Sequence, residues 1–368
     1  MSIENLELSE KSEKVSFAMI GGGWRAEFYL RIAKEMTDRF EVCGIVVRSA
    51  EKGMVIEKEW GIKTFRTVGE LLKHKSPTFV VVSVPSQATP GYLTEIAANG
   101  VPAITETPPA QDVDALAQLT ALVSRGAKIQ VAEQYHLQPL HAARIAIARS
   151  GKLGEISQAR LSVCHGYHAV SLMRKFLDVG FRNCTISARE FRSKIVEGPG
   201  QRSGPRRENI ILSRQVIAQL DFGDKLGIYD FDDEQYFSWI RSLNLQVRGS
   251  RGQISDTTVK YLLDFATPVE YDLKRLNAGE NGNLEGYYLK GIMAGESWIY
   301  RNPFTPAKLT DDELAIASCL DKMNVYSKGG PEFYSLADAA QDHYLSLMIN
   351  KAVASGEAVS TQSQIWAG

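Results

Sequence analysis

The chain has 368 residues, of which 44% are hydrophobic and 23% charged, and its formal net charge is −1. That length allows two hydrophobic cores. The charge balance excludes the basic field of a nucleic-acid binder and any attraction to anionic membranes. The four cysteines, Cys43, Cys164, Cys184 and Cys319, form no C-x-x-C pair. They read as reduced core thiols of a cytoplasmic protein, with no zinc or other metal site and no disulfide framework.

Residues 1–14, MSIENLELSEKSEK, are polar and acidic, without the basic and apolar regions of a signal peptide, and read as a frayed lead-in. No apolar run reaches the length of a membrane span. Val15 to Ile20 then reads as a buried parallel strand. It breaks into Gly21-Gly22-Gly23-Trp24-Arg25-Ala26, and a helix follows to about Lys34. This is the G-x-G-x-x-G/A pattern between a strand and a helix. Gly21 permits the tight turn, Gly23 the close approach of backbone N–H groups to a pyrophosphate, and Ala26 the packing of helix on strand. Trp24 and Arg25 stand at the helix N-terminus, where anions bind.

A second strand is expected at Glu41 to Val47, followed by Arg48 and Ser49. A dinucleotide-binding fold usually carries an acid here, to accept hydrogen bonds from the adenosine ribose. Arg48 and Ser49 suit a 2′-phosphate better, which leans the cofactor towards NADP over NAD. The next strands are expected at Ile62 to Phe65, Thr78 to Val84, Val101 to Thr105 and Lys128 to Ala132, with helices between them. Val84-Pro85, Glu106-Thr107 and Gln134-Tyr135-His136 fall at strand ends, on the edge where doubly wound sheets bind ligands. Tyr135 and His136 are therefore expected to face a cleft. The first 150 residues read as an α/β dinucleotide-binding domain, beginning at residue 15.

Beyond Gly151-Lys152-Leu153-Gly154 the pattern changes. Strands are expected at Ile156 to Cys164, Cys184 to Glu190, Ile211 to Phe222, Lys225 to Phe231, Leu243 to Arg248, Thr258 to Phe265 and Val269 to Lys274. Short turns between them indicate a mainly antiparallel sheet. Helices at about Thr310 to Ser327 and Leu336 to Ser355 close an α+β domain spanning 151–368. Arg192 to Arg207 reads as a Gly/Pro-rich basic loop, either a solvated excursion or a lid whose Arg202, Arg206 or Arg207 meets an anion. Tyr236, Phe237, Trp239, Tyr287 and Tyr288 read as sheet core or interface in preference to sugar-stacking rings.

In this order GGGWRA, VVSVP, ITETPPA, SGKLGEI, HGYHAVSLMRKFL and the ending from Pro331 resemble the Gfo/Idh/MocA family of oxidoreductases. The resemblance implies a Rossmann domain, a second domain with a large, mostly antiparallel sheet, NAD(P) as cofactor and a polyhydroxylated substrate. It also implies a homodimer or homotetramer formed through the open face of that sheet.

Two departures stand out. The family's Glu-Lys-Pro, whose Lys assists proton transfer beside the nicotinamide, is Glu106-Thr107-Pro108. A threonine hydroxyl relays a hydrogen bond but is no general base near neutral pH. The family's D-x-G-x-H-x-x-D becomes Cys164, Gly166, His168 and Ser171, keeping the His and losing both acids. His168 is the leading acid/base candidate, since imidazole titrates near working pH. Tyr135, His136 and Tyr167 are its expected helpers. Three functions compete: a dehydrogenase of a sugar, cyclitol or glycoside; a redox-neutral glycosidase or lyase working through a 3-keto intermediate with a retained cofactor; and a non-catalytic nicotinamide-binding protein.

Overall fold

The computed structural model describes residues 14–198, 207–282 and 284–367. Val15–Ile20 forms β1, which is almost wholly buried because apolar side chains point to both covered faces of a parallel sheet. The chain leaves it at Gly21, with φ +104° and a backbone N–H donated to the Val46 carbonyl at 3.0 Å. A Cβ at Gly21 would stand 2.0 Å from the Ser83 carbonyl oxygen, so the turn admits glycine alone.

Ala26–Glu35 (α1), Phe40–Val46 (β2), Ala50–Trp60 (α2), Thr64–Phe65 (β3) and Val68–His74 (α3) follow in order. Then come Phe79–Val82 (β4), Thr89–Ala98 (α4), Ala103–Thr105 (β5), Val113–Ser124 (α5) and Ile129–Val131 (β6). The six strands are all parallel, in the order β3-β2-β1-β4-β5-β6. Strand order reverses between β1 and β4, which opens a crevice at their C-terminal ends. A 3-10 turn, Tyr135–Leu137, leads into Pro139–Arg149 (α6).

The second sheet has eleven strands. They are Ile156–Ser162 (β7), Thr185–Val196 (β8), Ile210–Asp221 (β9), Leu226–Asp232 (β10), Asn244–Gly249 (β11), Gly252–Ser255 (β12), Thr258–Leu262 (β13), Pro268–Asn277 (β14), Leu289–Ala294 (β15), Ser297–Arg301 (β16) and Val359–Ser360 (β17). β10 lies parallel to β7; the other described pairings are antiparallel. Gly166–Leu177 (α7) and Leu336–Ser355 (α9) pack on each other and on one face of this sheet. The fold is thus a Rossmann α/β unit followed by an α+β unit with a large, mainly antiparallel sheet. β12, β15, β16 and the two-residue β17 have no counterpart among the strands expected from sequence. β8 also runs six residues further than its sequence pattern suggested, so Arg192 lies in a strand, paired with Glu190 at 2.6 Å. Arg202 and Arg206 of the basic stretch lie outside the described residues.

Asp311–Ser327 (α8) does not join the second sheet. It returns to pack on α1, with Leu314, Ile316 and Leu320 sharing one core with Phe17, Tyr29 and Ile32. A capping box starts it: Thr310 Oγ1 accepts from the Glu313 backbone N–H while the Glu313 carboxylate accepts from the Thr310 backbone N–H. The Glu313 carboxylate also accepts from Arg31 at 2.6 Å, which fastens α8 to α1.

Candidate active site

The crevice at the switch point opens into a cavity of about 780 Å³. Gly23, Trp24 and Arg25 bring the start of α1 to it, and Val84 and Pro85 the end of β4. Glu106 and Thr107 follow β5; Gln134 and Tyr135 follow β6; Tyr167 and His168 open α7. These cofactor and catalytic candidates therefore converge, although they are spread over 145 positions of the sequence. Gly21 forms the turn beneath them. Arg48 is exposed just past β2, and the Ser49 hydroxyl caps α2 by accepting from the Lys52 backbone N–H at 3.2 Å.

His168 is held by a residue the sequence reading passed over. Its Nδ1 lies 2.6 Å from Glu133 Oε2, and both side chains are buried. Glu133 Oε1 accepts from the Tyr135 backbone N–H at 3.2 Å, so the carboxylate is itself fixed. A carboxylate on one imidazole nitrogen sets the ring's orientation and leaves Nε2 for other chemistry. Tyr135 and Tyr167 flank the ring, each with centroids 4.4 Å away. Burial pushes the Tyr167 phenol up to about 12 and the Tyr135 phenol well above its ordinary value. Both are hydrogen-bond donors at neutral pH.

A short polar chain runs along the same wall. Tyr236 Oη accepts from the His165 backbone N–H at 2.9 Å and lies 3.1 Å from Tyr135 Oη and 2.9 Å from His165 Nδ1. Burial and the neighbouring His168 pull His165 down to about 4, so its neutral ring can accept the Tyr236 proton. His165 carried no role in the sequence reading, and Tyr236 and Phe237 were assigned to core or interface; all three line the cleft.

Arg25 closes the opposite wall. Its Nε donates to Glu106 at 2.9 Å and its Nη1 to Asp312 at 2.8 Å. Burial works against the charge, yet Glu106 and Asp312 hold the guanidinium above the ordinary arginine value. Tyr29 Oη donates to Glu106 as well, at 2.5 Å. Asp312, from the first turn of α8, also accepts from Gln134 and Gln138 at 3.1 and 3.2 Å. Sequence offered no sign of Asp312, which looks like any acid at a helix N-terminus. Glu133 was more legible, as an acid at a Rossmann strand end.

One expectation needs correction. His136 does not face the cleft. It sits in a 3-10 turn, where successive side chains lie about 120° apart, so Tyr135 and His136 diverge to opposite sides. His136 lines a separate cavity and lies against Tyr334, centroids 5.1 Å apart. Cys164 and Ser171, which occupy the motif's acid positions, are both core residues. Cys164 is fully buried with its thiol pushed well up, and Ser171 Oγ accepts from Tyr334 Oη at 2.7 Å. Thr107 reaches the cleft, and its backbone carbonyl accepts from Tyr167 Oη at 3.4 Å.

The residues fit a nicotinamide dinucleotide. No side chain caps the start of α1, and a Cβ built on Gly23 would meet nothing within 4 Å, so this backbone faces open space. Gln134 Oε1 is buried in the cleft wall with no hydrogen-bond partner, an acceptor suited to a carboxamide N–H. Among the described residues no group of His, Cys, Asp and Glu is arranged to hold a metal ion. None of the described helices is long and apolar enough to cross a membrane.

Comparison with known proteins agrees. The model of the Gfo/Idh/MocA oxidoreductase family, with its NAD-binding Rossmann fold, matches residues 15–135. No curated protein matches the chain in sequence. Among solved structures, an oxidoreductase from Agrobacterium radiobacter in complex with NAD+, L-tartaric acid and magnesium is 18% identical. Its TM-score is 0.65, and the match covers 94% of this chain and 98% of that one. A putative myo-inositol dehydrogenase from Sinorhizobium meliloti is 16% identical, with TM-score 0.64 and coverage of 95% and 100%. The WlbA dehydrogenase from Bordetella pertussis, solved with NADH and UDP-GlcNAcA, is 15% identical, with TM-score 0.61 and coverage of 95% and 99%. These likenesses extend the shared fold over nearly the whole chain. Residues 15–135 thus match the NAD-binding Rossmann unit of the Gfo/Idh/MocA oxidoreductases, and the chain as a whole shares its fold with these structures.

Proposed function

We propose that the chain is an NAD(P)-dependent oxidoreductase of a polyhydroxylated small molecule (a sugar, cyclitol or glycoside) in which His168 replaces the family's lysine as proton acceptor. The observation that carries this reading is the His168–Glu133 pair, 2.6 Å apart on the cleft wall. A nicotinamide bound in the cleft would supply the hydride acceptor for a carbinol C–H, or the donor in reverse. His168 Nε2 takes the hydroxyl proton as the carbonyl forms, and Glu133 stabilises the resulting imidazolium. Thr107 and Tyr167 orient the substrate by hydrogen bonding, and Gln134 and Arg25 with Glu106 shape the cofactor's side of the cleft. Arg48, exposed where the ribose-binding acid is missing, supports NADP over NAD. Phe191 and Ile217, both exposed, lie on one face of the large sheet and support a homodimer or homotetramer through it.

A second reading draws on the clustering of two imidazoles and three phenols: His165, His168, Tyr135, Tyr167 and Tyr236. A redox-neutral glycosidase or lyase needs several proton-carrying groups, because oxidation, elimination, addition and reduction each move a proton. One experiment separates the two. The protein is incubated with carbon-deuterated sugars, cyclitols and aryl glycosides, and nicotinamide absorbance and product release are followed together. The dehydrogenase reading expects a net absorbance change equal to product, with deuterium on the nicotinamide. Product release without net absorbance change would replace it by the redox-neutral reading. Dinucleotide binding with no deuterium movement on any substrate would overturn both.

A further inference from the structure

On the far side of the Tyr135–Leu137 turn from the cleft lies a second cavity, of about 770 Å³. Arg149 of α6, Lys175 of α7 and Lys322 of α8 line it. Its two carboxylates are already engaged. Asp321 is paired with Arg39, and Glu332 accepts from Gln130 Nε2 at 3.1 Å. Among the described residues neither Arg149 nor Lys322 has an ion pair, and Lys175 Nζ lies over the Tyr334 ring, 4.9 Å from its centroid. Counting Arg39, four cations thus face one concavity against two carboxylates, an excess of positive charge.

A second observation points the same way. His136 lines this cavity, and its Nδ1 is buried with no hydrogen-bond partner. Buried polar atoms are rarely left unpaired, and each that is calls for an explanation. Leu137, Ile145, Val325 and Phe333 supply an apolar wall beside the cations. We propose that this cavity is a binding site for a small organic oxyanion, a phosphate or carboxylate on a partly apolar body, held by Arg149, Lys175 and Lys322 with the His136 ring in its wall. Burial, with Lys175, Lys322 and Arg149 behind it, pulls the free imidazole down to about 3; a bound anion reverses that sign. The site is independent of the hydride chemistry proposed above. It is nonetheless coupled to the cleft, because His136 follows directly on Gln134 and Tyr135. A ligand that orders this turn shifts dinucleotide affinity, and by reciprocity the dinucleotide shifts the ligand's.

The test is calorimetric titration of the full chain, saturated with dinucleotide so that the cleft's own phosphate-binding backbone is occupied. The probes are inorganic phosphate and glucose 6-phosphate. Saturable binding is expected, tighter for the sugar phosphate and weaker in high salt. The Arg149→Gln/Lys322→Gln double variant should lose about tenfold or more in affinity. In 15N-histidine-labelled wild-type protein, the His136 ring signal should shift on titration, which decides the matter even where the variant fails to fold. Absence of binding by both probes, binding abolished by the dinucleotide, or binding that survives the double substitution with no shift at His136 would each overturn the proposal.

Discussion

His168 and His136 stand on the two sides of one strand end, and they meet opposite charges. On the cleft side, Glu133 reaches Nδ1 of His168 and holds the ring for proton transfer. On the other side, Arg149, Lys175 and Lys322 surround His136, whose Nδ1 has no partner. The two imidazoles are chemically identical and both look catalytic in the sequence. What separates them is whether a carboxylate or a group of cations was folded against the ring. A histidine's role is set by its partner, and the partner is a tertiary fact.

The comparison predicts a graded series. Largest is His168→Ala, which should lower kcat by roughly 10²–10⁴-fold while dinucleotide affinity, read by fluorescence titration, stays nearly constant. Near-normal turnover in this variant would move the base elsewhere in the cleft. Next is Glu133→Gln, which keeps the shape and removes the charge. An orienting partner of this kind is worth roughly 10–100-fold, so kcat should fall by that much with little change in KM. A loss as large as that of His168→Ala would mean that the pair acts as one unit.

The smallest effect on turnover belongs to His136→Phe, less than about tenfold. Its signature lies in stability. His136 and His141 are both pulled down to about 3, mainly by burial, whereas an unfolded imidazole titrates near 6.5. The unfolded chain therefore binds more protons between those values. Stability is fully present above pH ~6.5 and falls as the pH drops towards ~3, by up to about 1.4 kcal/mol per pH unit for each ring. His136→Phe should flatten this acid limb of Tm against pH in part, since His141, His165 and His343 are pulled down as well. An unchanged slope would show that His136 is not held neutral in the fold.

The parts legible in the sequence were those written locally. The strand, glycine turn and helix at the start of the chain, the six parallel strands, and the placement of Thr107, Tyr167 and His168 at one cleft all follow from short patterns. β12, with four residues, and β15 and β16, six and five residues long with little alternation in burial, carry too weak a period to be read. In the site, what escaped was pairwise. Glu133 meets His168 across 35 positions, and Arg25 meets Asp312 across 287. His136 was misplaced for a geometric reason: a single 3-10 turn redirects neighbouring side chains that a continuing strand would have kept near one edge.

α8 has a consequence for how the molecule can be divided. It comes late in the chain yet covers the apolar side of α1 and β1 in the nucleotide-binding half. A fragment ending near residue 150 would expose Tyr29, Ile32 and Phe17 to water, and should be recovered only as aggregate. The same return makes the polypeptide pass between the halves three times, at 150–155, 302–310 and 328–335. A cleft tethered by a single crossing can swing like a gate. One tethered by three must bend all three segments together for its walls, Trp24 on one half and Phe237 on the other, to part.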